Sequence, residues 1–241
     1  MEIYNLRCES VKNPMGLSIR KPRLTWNLRS VIRGAGQKAF RIQIEKGSVC
    51  ANNRTELVLD TGCVESSEMM FILDGISLES RTRYFWNVEV TGLDGRTYRT
   101  AQGAWFEMGL LEKEDWKARW IEPEQHPVYK EEFDVSKELP FLRTFDNQKR
   151  RWLYEPEIDN YAENGSVMSL DINEDILYPS PLIRKKFTAR KEISRARIYA
   201  TAHGIYRLEL NGKRVGDYEL APEATSYEGI LQVQTYDVTD L

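Results

Sequence analysis

The chain has 241 residues, 41% of them hydrophobic and 29% charged, which is enough to bury a sizeable core as one large domain or as two of about 100 to 130 residues. A formal net charge of only -3 gives no reason to expect nucleic acid or an anionic membrane as a partner. Three cysteines, Cys8, Cys50 and Cys63, make an odd set without a C-x-x-C pair, which fits a reducing compartment better than a disulfide framework, although a Cys50 to Cys63 bridge stays open.

The N-terminus, M-E-I-Y-N-L-R-C, lacks a basic region followed by an apolar run, and no segment reaches about 18 continuous apolar residues. With Met1 as the native start, a cytoplasmic protein is expected. Up to about Met108 the sequence predicts seven short strands: Tyr4 to Cys8, Arg23 to Leu28, Ala39 to Glu45, Leu57 to Asp60, Met69 to Leu73, Tyr84 to Thr91 and Ala104 to Met108. Phe40, Ile42 and Ile44 alternate with Arg41, Gln43 and Glu45, and Tyr84, Trp86, Val88 and Val90 alternate with Phe85, Asn87 and Glu89, so each strand has one apolar face. Leu93-Asp94-Gly95-Arg96 signals a hairpin. The spacing is that of an immunoglobulin or fibronectin type III sandwich, expected over 1–109.

Residues 110–124 form the expected linker, with a charge-rich centre suited to one helical turn. Trp116 and Trp120 are expected to anchor neighbouring domains by burial rather than to stack on sugar. The second domain is expected over 125–241, with an insertion at 126–179 that has no sustained period. Within it, Lys149-Arg150-Arg151-Trp152 reads as a solvated face between acidic blocks. Asp171 to Asp175 begins like a calcium loop, then fails at Ile176, where glycine is needed, and at Leu182, where a glutamate belongs. No metal site and no cofactor is expected.

Leu182 to Phe187 resumes a strand pattern. Ala196, Ile198, Ala200 and Ala202 then alternate with Arg195, Arg197, Tyr199 and Thr201, which predicts a half-buried strand with a polar face. Asn211-Gly212 predicts a type I′ hairpin that sets Leu208 opposite Val215 and Glu209 opposite Arg214. Tyr218 to Leu220 and Gln232 to Val238 are predicted as further strands. The fold class is therefore all-β, with two sandwiches. Ending on a strand at Leu241 leaves sheet edges, so a truncated second sandwich is expected, its edges met by self-association or by the insertion.

Four segments carry a resemblance: Tyr4-Asn5-Leu6-Arg7-Cys8-Glu9, Lys21-Pro22-Arg23-Leu24-Thr25-Trp26, Trp105 to Leu111 with Asp115-Trp116-Lys117-Ala118, and Leu210-Asn211-Gly212-Lys213-Arg214-Val215-Gly216-Asp217. In this order they resemble the N-terminal part of bacterial α-L-rhamnosidases. The resemblance implies a fibronectin-like domain and a jelly-roll-like sandwich ahead of a helical catalytic barrel, which this chain lacks. In the family that barrel holds the acid and base that hydrolyse terminal α-L-rhamnosides with inversion. Partners implied are rhamnose-containing glycans, met through the parent enzyme, and the barrel itself.

No catalytic residue is expected here. Glu112, Glu114 and Asp115, and Glu155, Glu157 and Asp159, read as surface acids, while His126 and His203 have no triad or zinc motif around them. Where the family commonly reads A-P-G-W-T-x-Y, this chain has Ala221-Pro222-Glu223-Ala224-Thr225-Ser226-Tyr227. The candidate carbohydrate-binding residues are thus Tyr227, for stacking, and Glu223, for hydroxyl hydrogen bonds, with weak binding expected. The competing reading is a structural or protein-interaction module that binds no sugar.

Overall fold

The computed structural model describes residues 1–47, 55–123, 128–129, 176–177, 180–190 and 192–241. Ladder-forming residues in the first 110 make two antiparallel sheets. One contains β1 (Glu2–Cys8), β2 (Arg23–Arg29) and β6 (Met70–Ile72), in the order β1-β2-β6. The other runs β4 (Thr55–Asp60), β3 (Gln37–Gly47), β7 (Arg83–Gly92), β8 (Thr97–Arg99), with β5 (Val64–Glu65) on β3 and β9 (Ala104–Glu107) on β7. All seven predicted strands of this part are present. The two additional pieces, β5 and β8, are too short to show a period.

The predicted apolar faces are the ones that pack. Phe40, Ile42 and Ile44 of β3 and Tyr84, Trp86, Val88 and Val90 of β7 are buried against Leu6, Leu24 and Trp26 from the other sheet. Trp26 is locked by a buried relay in which its Nε1 donates to Gln37 Oε1 at 3.0 Å, while Gln37 Nε2 donates to the carbonyls of Ser66 and Glu68. Removing so large a buried ring, as in Trp26→Ala, would cost about 3–5 kcal/mol. Burial pushes the Cys8 thiol up to about 12, so this cysteine is a small core residue. Cys63 is exposed and free, and Cys50 lies outside the described residues.

After this sandwich comes a single 3₁₀ turn, Lys113–Asp115, in the linker where a helical turn was expected. Asp115 is not a solvated acid. Its carboxylate accepts from the Ser80 hydroxyl and, at 3.1 Å, from the Glu112 amide that starts the turn. Trp116 is half-buried, whereas Trp120 is 60% exposed, so burial does not make an anchor of the second tryptophan.

Met1–Ala118 and Ala189–Leu241 form one compact unit, and Arg119–Thr188 a second. Of the second unit the structure gives β10 (Val128–Tyr129) paired with β11 (Ile176–Leu177), and a stretch from 180 without regular secondary structure. Leu182 to Phe187, expected as a strand, has no ladder partner among the described residues, and Leu182 is fully exposed. Alternation without an adjacent edge does not make a strand. The basic run at 149–152, the calcium-like loop at 171–175 and the acids Glu155, Glu157 and Asp159 lie outside the described residues.

The C-terminal part of the first unit carries two small antiparallel sheets. β12 (Arg197–Ala200) pairs with β15 (Gln234–Asp237), and β13 (Glu209–Leu210) pairs with β14 (Lys213–Arg214). The hairpin register is the predicted one, with Glu209 opposite Arg214 and the Val215 amide donating to the Leu208 carbonyl at 2.9 Å. Asn211 and Gly212 have φ of 53° and 77°, as a type I′ turn requires. These two opposed residues take other ion partners, Arg214 pairing with Glu219 at 2.7 Å and Glu209 with Arg207 at 3.2 Å. Tyr218 to Leu220, expected as a strand, is a bend, with Leu220 at a φ of 55°. Val215, Tyr236 and Val238 form a small core of their own, with Ile198, Leu208 and Leu210 packed on it. Among the described residues the fold is all-β.

Candidate functional site

The segment 220–232 is a tight loop returning from the β13–β14 hairpin towards β15. Its path is set by backbone bonds: the Glu223 amide donates to the Leu220 carbonyl at 2.9 Å, and the Tyr206 amide to the Ala221 carbonyl at 2.8 Å. The Ala221-Pro222 peptide is cis, and Glu223 follows at a φ of 83°. That is the left-handed region, which glycine adopts freely and a glutamate does not.

Tyr227 and Glu223 are both exposed, but they face different neighbours. The Tyr227 ring lies flat on the His203 imidazole, with centroids 4.7 Å apart and planes 3° from parallel. Its hydroxyl accepts from the Gly204 amide at 2.8 Å. One face of the candidate stacking ring is therefore covered, and its polar tip is engaged. Glu223 accepts from Gln232 Nε2 at 3.2 Å, a long bond at an exposed position. His203 sits in a bend rather than on a strand, and its contact with Tyr227 across 23 intervening positions carries no sequence signal.

A second set of charged residues was not singled out from sequence. Glu107, the last residue of β9, is fully buried. Arg197 of β12 grips it with both arms, Nε to Oε1 at 2.7 Å and Nη2 to Oε2 at 3.1 Å. Arg83, its cross-strand partner on β7, donates from Nε to Oε2 at 2.9 Å and lies over the Trp105 ring at 3.8 Å, and Arg195 comes within 3.8 Å. Arg197 also pairs with Asp237 of β15 at 2.6 Å. Burial alone would push the Glu107 carboxyl up. The hydrogen bonds and charge of Arg197, joined by the charges of Arg83 and Arg195, outweigh it and hold the carboxyl below its ordinary range.

Chemically, such an arrangement binds rather than transfers protons. A general acid needs a carboxyl held protonated near working pH, and every described carboxyl that departs from its ordinary range departs downwards. An open depression on the first sandwich is lined by Arg20, Lys21 and 74–78. Its charges are already paired, Lys21 with Asp74 and Arg20 with Glu112. Among the described residues no cluster could hold a metal ion, and no helix is long and apolar enough to cross a membrane.

Comparison with known proteins gives two family matches. Residues 3–112 match the Rha78A-like N-terminal immunoglobulin domain, and residues 191–241 match the α-L-rhamnosidase N-terminal domain. An α-L-rhamnosidase of Formosa agariphila is 29% identical over 97% of this chain, which corresponds to 21% of that protein. The α-L-rhamnosidase structure from Dictyoglumus thermophilum superposes with a TM-score of 0.71 at 26% identity, covering 99% of this chain and 23% of the other. The Streptomyces avermitilis α-L-rhamnosidase complexed with L-rhamnose gives 0.67 at 21% identity, covering 99% of this chain and 35% of the other, which is a likeness of fold. The chain thus spans between about a fifth and a third of the length of the curated relatives it matches.

Proposed function

We propose that this chain, whose two matched domains are those of the N-terminal region of α-L-rhamnosidases, serves as a non-catalytic accessory region that supports a catalytic barrel. The observation that carries this reading is the pair of N-terminal domain matches in the same order along one chain. Purified chain should give no hydrolysis of aryl α-L-rhamnosides above a buffer blank. Turnover that survives repurification would overturn the non-catalytic assignment.

Support is the larger part of that role and sugar binding the smaller. His203 occupies one face of Tyr227, and the loop presents Ala224 where the pattern implied by the family resemblance has an aromatic residue. One missing aromatic contact removes about 1 kcal/mol beyond the area it buries, enough to take a millimolar ligand out of range. Calorimetry with L-rhamnose, with and without calcium, should show no saturable heat below about 1 mM. A micromolar constant lost in Tyr227→Ala would instead make this a carbohydrate-binding module.

A further inference from the structure

The compact unit contains two hydrophobic cores that share no member. One is built from residues 1–111 and centred on Trp26 and Trp86; the other is built from 196–241 around Tyr236. A set of largely polar contacts joins them. From the first sandwich it presents Arg81, Arg83, Glu107 and Gly16. From the C-terminal module it presents Arg195, Arg197, Tyr199 and Thr235. Gly16 meets Thr235 so closely that a Cβ placed there would lie 2.5 Å from the threonine Oγ1, and its φ of 79° is itself one that favours glycine.

We infer that Glu107 is an ionic latch: one buried carboxylate, clamped by Arg197, fixes the orientation of the C-terminal module on the first sandwich. Three features carry the inference. The carboxylate is fully buried and Arg197 nearly so, its side chain 8% exposed, so the pair is shielded from solvent. The contact is bidentate, and a planar fork admits one relative orientation where an apolar patch would admit sliding. Both ends are also braced within their own parts, Glu107 by Arg83 and Arg197 by Asp237. A buried ion pair adds little net stability compared with an apolar replacement, but losing one partner leaves an uncompensated charge and is strongly unfavourable. The latch accordingly selects a geometry more than it adds stability. It holds whether or not the chain binds sugar.

Hydrogen exchange on the whole chain tests this with two variants. Arg197→Met leaves the Glu107 to Arg83 pair of the first sandwich in place, whereas Glu107→Gln leaves the Arg197 to Asp237 pair of the module in place. Both should accelerate exchange in Arg197–Ala200 and Gln234–Asp237 by roughly a hundredfold. Amides of Gln37–Gly47 and Arg83–Gly92 should keep their protection. Equal acceleration in all four strands would show a single cooperative core and overturn the latch. Unchanged exchange in the module in Arg197→Met would overturn it as well, and if Glu107→Gln fails to fold, Glu107→Asp, which shortens the carboxylate and keeps the Arg197 to Asp237 pair, decides in its place.

Discussion

Glu223 shows how a single residue can keep a loop's path while opposing its conformation. The pattern implied by the family resemblance has glycine at this position, and the backbone here has a φ of 83°, with the Glu223 amide bonded to the Leu220 carbonyl. The glutamate therefore bears left-handed strain, about 1 kcal/mol or more, offset only by one exposed 3.2 Å bond from Gln232. Glu223→Gly should stabilise the chain by roughly 0.5–1 kcal/mol, after subtracting the extra freedom that glycine gains when unfolded. A lower melting temperature in that variant would mean that the Gln232 contact outweighs the strain. The departure from glycine was legible in the sequence; the stacking of Tyr227 on His203 was not, since it depends on how two loops meet. Glu107 was hidden differently. Arg195 and Arg197 read as the wet face of a strand, because period two separates apolar from polar residues but cannot say whether the polar side faces water or another domain.

Among the elements, those with long alternating runs were found from sequence, while those whose existence depends on a neighbour were not. On one face β3 buries three apolar side chains and β7 four, and their pairing from Gln37 opposite Gly92 to Lys46 opposite Tyr84 follows from that pattern. By contrast, Leu182 to Phe187 and Tyr218 to Leu220 have the composition of strands without an edge to pair with among the described residues. The β13–β14 hairpin lies between these cases, as two-residue strands have no period and the turn alone specifies it. Gly212 carries that specification. Its φ is 77°, and nothing lies within 4 Å of the point a Cβ would occupy, so a side chain there meets no obstacle except its own backbone. Gly212→Val should thus cost about 1 kcal/mol or more from conformation alone, and Gly212→Asn distinctly less, because asparagine tolerates the left-handed region. Equal thermal unfolding of the two variants would show that the turn does not constrain the hairpin.

At the scale of the molecule, the latch makes the attachment of the C-terminal module sensitive to acid. The groups facing Glu107 are Arg83 from β7, Arg195 from just before β12 and Arg197 at its start, with Arg81, Tyr199 and Asp237 one step further out. The cations keep their charge through the acid range, and Asp237 is itself held below its ordinary value against the effect of its burial, by Thr239 first and then by Arg197. A carboxyl whose folded pKa lies below its unfolded one contributes stability that is fully present above the unfolded value, about 4.3 for glutamate, and is lost as pH falls through the folded value. The gap in melting temperature between the natural chain and Glu107→Gln should therefore be constant above about pH 5 and narrow steadily below about pH 4.3. The depressed carboxyls away from Arg197 are common to both proteins and cancel from that difference, which leaves Glu107 and its neighbour Asp237. A gap that stays the same down to pH 3 would mean that Glu107 titrates alike in the folded and unfolded chain, which is incompatible with a carboxylate gripped by three guanidinium groups.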